Sequence, residues 1–183
     1  FPELYQRYIT ILGVNGRHAH RLSPLIEKLC LPTLVITDLD PAERDGHHKS
    51  VVPKRGEGQI SGNYAIAKWL MKEKDIDKLL DCSEDKKEIS FASPYQFSIR
   101  IAYQTPVKVD FEGEEKETIP GTFEDCLIYT NFDLFKKINV TDPGNLVEQT
   151  HDLLNSSDTF ETIHEKIYEM LRAGKSEQKA EFA

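Results

Sequence analysis

Apolar runs at residues 8–14 and 33–36 flank a stretch, 17–29, in which leucine and isoleucine recur at helical spacing. This pattern predicts a strand–helix–strand unit, and such units place their two strands parallel in one sheet. The second run has four consecutive aliphatic or β-branched residues, which is typical of a strand buried on both faces. We therefore expect an α/β fold with a mostly parallel sheet flanked by helices.

The hydrophobic pattern after residue 40 predicts further helices and strands, and a helical part from about residue 142 to residue 183. Thr122 and Asp125 have the spacing of a capping box, in which each residue binds the backbone of the other at a helix start. The other predicted elements are helices at 64–70, 76–80 and 122–135, a strand at 97–103 and an edge hairpin within 106–118.

Two carboxylates directly follow the apolar run at 33–36. Residues i and i+2 of a strand point to the same side, so Asp38 and Asp40 share one face at the strand's C-terminal end. Open α/β sheets bind their ligands at that end. Two close carboxylates repel each other unless a cation lies between them, which favours a Mg²⁺ or Mn²⁺ site. The spacing alone leaves open that one aspartate caps the next turn while the other is solvated.

Composition narrows the classes of protein that this chain can represent. The chain has 183 residues, 39% of them hydrophobic, which is enough for one sizeable core. The net charge of −8 argues against a broad DNA-neutralising surface, although it does not exclude a metal-dependent nuclease. Three cysteines without zinc-site spacing favour a reducing compartment, and we expect a cytoplasmic protein. No apolar run reaches membrane-spanning length and no signal peptide is visible, so we expect no membrane partner.

A polar segment at 41–60 follows Asp40 and reads as a long loop. Its cations are the best candidates for contact with a nucleic-acid backbone, although an ordinary mobile loop fits the same pattern. These residues are Arg44, Lys49, Lys54 and Arg55. The turn after the first apolar run also carries Arg17, His18 and His20, which could approach a phosphate or form a solvated first turn.

Several common motifs are absent. The chain has no Gly-x4-Gly-Lys-Ser/Thr sequence, so it carries no P-loop of its own. Phosphatases of the haloacid dehalogenase type also have Asp-x-Asp after a strand, but they expect Thr or Val where this chain has Ala42. The long charged loop argues against a response-regulator receiver domain.

The segments together resemble the Toprim domain of the OLD (overcoming lysogenization defect) family of ATP-dependent endonucleases. The matching segments follow the family's order along nearly the whole chain, and they are residues 8–22, 31–40, 62–70, 101–107, 121–131 and 179–183. The resemblance implies a Toprim-like, Rossmann-like fold over residues 1–183, with an added helical part at about 142–183. A Toprim domain of a primase or topoisomerase is a less favoured assignment, because the segments after Asp40 differ from those of these families.

The resemblance also implies metal-dependent DNA cleavage with Mg²⁺ or Mn²⁺. Asp38 and Asp40 match the family's metal-binding aspartates, and Glu124 matches its later acidic position, with Asp125 as the fallback. Lys179 matches the late lysine that stabilises charge developing on the phosphate. The implied partners are DNA, a covalently linked upstream ABC-type ATPase domain through which ATP would act, and a possible second copy of the chain.

Two departures from the family pattern support an alternative. The family's glutamate motif is expected before Phe1, so we expect a fragment that lacks its first strand and the ATPase domain. Gly13 also lies where relatives are expected to carry Glu. The alternative is therefore a catalytically incomplete, Toprim-like interaction module.

Overall fold

A computed structural model of the chain describes residues 2, 6–14, 16–44, 49–140 and 144–174. The helices in these ranges are α1 (Ser23–Lys28), α2 (Ile76–Leu80), α3 (Phe123–Thr130), α4 (Phe132–Lys137), α5 (Leu146–Leu154) and α6 (Phe160–Ala173). The strands are β1 (Thr33–Ile36), β2 (Pro41–Ala42), β3 (Ile60–Ser61), β4 (Glu88–Phe91), β5 (Phe97–Ala102), β6 (Val107–Phe111) and β7 (Glu114–Thr118). Shorter turns of helix are the 3₁₀ segments Gly16–Leu22 and Glu84–Lys87 and the π-helical segment Ala65–Leu70.

The main sheet has three strands in the order β1–β5–β4. β1 runs parallel to β5, with Val35 opposite Ile101, whereas β4 runs antiparallel to β5. The other strands form two antiparallel pairs, β2–β3 and β6–β7. The α/β class is confirmed, but within the described residues the sheet is mixed rather than mostly parallel. The sequence pattern did not predict β4.

The predicted strand at 8–14 is wrong for this structure, which gives those residues no strand assignment. β1 is consequently an edge strand within the described ranges, and its expected burial on both faces is also wrong. Val35 is 7% exposed, whereas Leu34 is 57% and Ile36 is 73% exposed. An apolar run cannot by itself specify what covers its second face, so the pattern predicted the strand but not its burial.

One hydrophobic core lies around the main sheet. Ile99 and Ile101 of β5 are fully buried there, and they pack with Leu39 and with Ile66 of the π-helical segment. The predicted helix at 17–29 begins as a 3₁₀ segment and becomes α-helical only at Ser23, next to a proline in its first turn. This core therefore holds the end of β1 and the segment after it against β5.

A second core joins β6 to the last four helices. Ile128 of α3, Leu154 of α5 and Ile163 and Ile167 of α6 are each at most 1% exposed within it. The helix predicted at 122–135 is interrupted at Asn131 and forms α3 and α4. The helical C-terminal part is present as α5 and α6, while residues 175–183 lie outside the described ranges. No helix in those ranges is both long and apolar enough to span a membrane.

Candidate metal site at the end of β1

The two aspartates flank a fully buried leucine just beyond β1. The backbone stays next to β5 after the strand ends, because the Thr37 amide donates to the Ala102 carbonyl at 3.0 Å. Leu39 is 0% exposed, and the Asp38 and Asp40 side chains are half-buried on either side of it. The burial of Leu39 in the first core fixes the position of both carboxylates at the strand's C-terminal end.

A glutamine just beyond β5 holds Asp38. The Gln104 amide nitrogen Nε2 donates to Asp38 Oδ1 at 2.6 Å, and Gln104 Oε1 accepts from the Leu39 backbone amide at 2.8 Å. Gln104 is itself only 8% exposed, so water competes little for these bonds. One side chain thus fixes the carboxylate of Asp38 and the backbone that follows it.

The backbone of Asp40 is in the left-handed region, with φ of +50°, which a residue other than glycine adopts rarely. Neighbouring hydrogen bonds stabilise this conformation. The Gly62 amide donates to the Asp40 carbonyl and the Ser61 hydroxyl donates to the Leu39 carbonyl, each at 2.8 Å. A Cβ atom at position 62 would lie 3.4 Å from the Asp40 carbonyl oxygen, in ordinary van der Waals contact.

Asn63 joins the two aspartates to the π-helical segment. Its side chain is 0% exposed, and its Nδ2 lies 2.7 Å from Thr37 Oγ1, 2.9 Å from the Asp38 carbonyl and 3.3 Å from Asp40 Oδ2. Its Oδ1 accepts from the Ala65 amide at 2.9 Å. Neither Asn63 nor Gln104 is among the site residues that the sequence analysis predicts.

The charge environment of Asp40 combines burial with two favourable contacts. Burial raises the pKa of Asp40, and the Arg17 charge and the Asn63 hydrogen bond partly offset that rise. Arg17 Nε lies 3.9 Å from Asp40 Oδ2, and its side chain remains 52% exposed. The contact is therefore an ion pair too long to be a hydrogen bond.

The donor set of this site fits a hard divalent cation. Mg²⁺ prefers oxygen ligands and often binds through one or two carboxylates while keeping several waters. Asp38 and Asp40 supply carboxylate oxygens held by neighbouring amides, as ligands of that type require. Within the described part of the chain, however, no group of three or more His, Cys, Asp or Glu side chains could share one metal ion.

Glu124 and Asp125 lie in the first turn of α3, a helix of the second core. The predicted capping box is confirmed: Thr122 accepts from the Asp125 amide, while Asp125 accepts from the Thr122 amide at 2.8 Å and from the Gly121 amide at 2.8 Å. Burial raises the pKa of Asp125 to about 6. Both oxygens of Asp125 thus accept backbone hydrogen bonds, while Glu124 is half-exposed beside it.

Two further residues of the sequence analysis bear on this site. Lys179 lies outside the described residues, so its role stays a prediction. Gly13 is described, and a Cβ atom built on it would meet no other atom within 4 Å. The structure therefore leaves room for a side chain at position 13, where relatives are expected to carry glutamate.

The cations of the 41–60 segment are largely paired with acids on other elements. Arg44 binds Asp75 at 2.8 Å and Lys54 binds Glu165 at 2.9 Å. Arg55 Nη1 lies 2.8 Å from Asp81 Oδ1. An open cleft of about 910 Å³ lies beside this segment, and its lining mixes basic and acidic side chains. These ion pairs reduce the positive charge that the segment can offer to a nucleic acid.

Comparisons with known proteins found one family model and one relative that the chain resembles. The family model described as "Overcoming lysogenization defect protein-like, TOPRIM domain" matches residues 1–40. The chain is 27% identical over 183 residues to Endonuclease GajA of Bacillus cereus (strain HuB5-5), a match that covers 99% of this chain and 24% of that protein. The chain therefore spans about a quarter of that relative's length. No solved structure matches the chain. The two matches confirm the resemblance to OLD-type Toprim domains.

Proposed function

We propose that this chain is the nuclease domain of an OLD-type endonuclease and hydrolyses phosphodiester bonds in DNA with Mg²⁺ or Mn²⁺. The observation that carries the proposal is the pair Asp38 and Asp40, fixed at the end of β1 by the buried amides of Gln104 and Asn63. The resemblance to OLD-type Toprim domains and to an endonuclease supports the same reaction.

The roles of the chain's own residues follow from their chemistry. Asp38 and Asp40 bind the divalent cations through their carboxylate oxygens. Gln104 and Asn63 hold those carboxylates in place, so that little reorganisation accompanies binding. The chemistry that two bound divalent ions supply in such sites is activation of water and stabilisation of the leaving oxygen.

The remaining site residues belong to the proposal through the family resemblance. Glu124 is proposed as a metal ligand, with Asp125 as the fallback, although within the described residues neither joins Asp38 and Asp40 in one ion-binding group. Asp125 is the weaker candidate, since a cation would compete with its two backbone hydrogen bonds. Lys179 is proposed to stabilise the negative charge that develops on the phosphate during cleavage.

The proposal extends to the protein that contains this domain. Because the chain spans only 24% of the related endonuclease, we propose that an ABC-type ATPase domain precedes it in the same polypeptide, through which ATP acts. The three cysteines are free thiols, which is typical of a reducing compartment, so we place the protein in the cytoplasm. Assembly with a second copy of the chain is part of the same proposal.

One observation favours the alternative of a catalytically incomplete interaction module. Asp38 and Asp40 find no third His, Cys, Asp or Glu partner for a shared ion within the ranges that the structure describes. Gly13, in place of the expected glutamate, points in the same direction.

Cleavage of supercoiled plasmid DNA by the full-length protein separates these two functions. The nuclease proposal predicts nicked or linear products with Mn²⁺ or Mg²⁺, none with EDTA, and loss of cleavage in Asp38→Ala and Asp40→Ala. Asp110→Ala, on the β6–β7 hairpin, is a matched control that should retain activity. Unchanged cleavage in both site variants would rule out the assignment.

A further inference from the structure

A chain that cleaves DNA must bring a polyanion to a pair of carboxylates, although its own net charge is −8. Contacts between phosphates and Lys or Arg side chains supply most of the affinity in such complexes. The cations nearest in sequence to Asp40, in the 41–60 segment, are largely engaged with acids on other elements. Other basic residues near the carboxylates are therefore required.

Arg17 contacts Asp40, and ring contacts link His20 to Tyr64 and Tyr64 to Lys68. We call these four side chains the Arg17 face: Arg17, His20, Tyr64 and Lys68. Arg17 and His20 lie on the 3₁₀ segment Gly16–Leu22, while Tyr64 and Lys68 lie at the π-helical segment Ala65–Leu70. The His20 and Tyr64 rings meet edge to face at 5.7 Å between centroids. The face is therefore continuous across the two segments.

The Arg17 face contacts the carboxylate pair through Arg17, and Tyr64 is a sequence neighbour of a residue that also approaches it. Arg17 Nε lies 3.9 Å from Asp40 Oδ2. Tyr64 directly follows Asn63, whose Nδ2 lies 3.3 Å from the same oxygen. A phosphodiester held by this face would therefore lie next to the proposed metal ligands.

The cations of the face keep charge that a phosphate can use. Lys68 Nζ lies 4.3 Å from the centroid of the Tyr64 ring, and a neutral ring does not cancel its charge. The Arg17 side chain is 52% exposed and can leave Asp40 without breaking a hydrogen bond. Arginine also presents a planar fork of donors that matches phosphate oxygens.

We propose that Arg17 and Lys68 bind the phosphate backbone of DNA and guide it to Asp38 and Asp40. This inference rests on the proposed nuclease function, and it moves the DNA contact from the 41–60 segment to the Arg17 face. The contact is to the backbone, so it carries no base preference of its own.

Binding of a fluorescent 20-base-pair duplex, measured by anisotropy in EDTA over a range of salt concentrations, tests the inference without cleavage. Each of Arg17→Ala and Lys68→Ala should weaken binding about threefold or more and reduce the salt slope by about one, and the double variant should combine both effects. Arg17→Lys should recover part of the affinity. Lys137→Ala removes the same charge from an exposed site on α4 and should leave binding unchanged.

Each result decides the inference. Binding by the double variant that equals that of Lys137→Ala would overturn it, as would wild-type protein that does not bind the duplex. Circular dichroism and thermal melting of each variant show whether the fold is kept. If plasmid cleavage still depends on Asp38 and Asp40 while the double variant binds normally, the Arg17 face is wrong and the nuclease proposal stands.

Discussion

Gln104 Nε2 donates a hydrogen bond to Asp38 Oδ1 at 2.6 Å, although the two residues lie 66 positions apart in the sequence. The same glutamine accepts a hydrogen bond from the Leu39 amide. The link joins the end of β5 to the end of β1, so the orientation of the Asp38 carboxylate depends on the packing of the main sheet.

Gln104→Leu should therefore weaken divalent-ion binding. Loss of both hydrogen bonds removes the Gln104 contact from the Asp38 carboxylate and leaves the Leu39 amide unsatisfied in the core. We expect the Kd for Mn²⁺, measured by isothermal titration calorimetry, to rise about tenfold or more. Gln96→Leu, at an exposed position before β5, is the control and should bind Mn²⁺ like the wild type. Equal affinity in both variants would show that Gln104 does not position Asp38.

Asn63→Ala should lower the free energy of unfolding by about 3 kcal/mol. The substitution removes both the donor and the acceptor of the side-chain amide, so buried polar groups that bind them lose a hydrogen bond. Those partners include the Thr37 hydroxyl and the Ala65 amide. Urea unfolding measures the change. Asn139→Ala, on an exposed residue, should alter stability by less than about 0.5 kcal/mol. A similarly small effect of Asn63→Ala would contradict the network described for the site.

The two faces of β1 should respond differently to the same substitution. Val35→Thr buries a hydroxyl in the first core and should cost about 2 kcal/mol of stability. Ile36→Thr changes a side chain that is 73% exposed, so it should cost less than about 0.5 kcal/mol and reduce binding of a hydrophobic dye. Equal losses in urea unfolding would mean that Ile36 is covered in solution.

His164 should make the protein less stable in acid. Burial, aided by the Lys54 charge and opposed by Glu165, lowers the pKa of His164 from 6.5 to about 4. The Tyr129 hydroxyl lies 2.7 Å from its Nδ1. The unfolded chain then binds the proton at a higher pH than the folded one. The contribution of His164 to stability is therefore fully present above pH 6.5. As the pH falls towards 4, the free energy of unfolding decreases by about 3 kcal/mol.

Urea unfolding of wild type and His164→Gln across pH 4 to 7 isolates this effect. The wild-type curve should fall more steeply with acid than the variant's. Asp125, whose pKa burial raises to about 6, contributes with the opposite sign in both proteins and cancels in the difference. Parallel curves for wild type and His164→Gln would refute the assignment.

The features predicted correctly from sequence are those set by local chemistry. The capping box of Thr122 and Asp125 spans three residues, so the pattern alone specifies it. Asp38 and Asp40 were chosen as site residues from a pattern of eight consecutive residues, and the structure places them at the end of β1. Their metal binding stays a prediction. The order of the helical and strand segments after residue 60 was also largely recovered.

The features that were missed depend on distant parts of the chain. Asn63 and Gln104 reach the aspartates across 23 to 66 residues, and no local pattern marks such contacts. The segment at 8–14 has a strand-like sequence, but a strand also needs a neighbour with free hydrogen-bonding groups. The burial of β1 also depends on such a neighbour, which explains why the strand was predicted as buried on both faces and is half-exposed.

The most direct test of the central claim is calorimetric titration of the protein with Mn²⁺, comparing wild type with Asp38→Asn and Asp40→Asn. The account predicts binding to the wild type that is lost or strongly weakened in each variant, with Asp110→Asn on β6 unaffected. Mn²⁺ binding of equal strength in the wild type and both site variants would contradict a metal site at the end of β1.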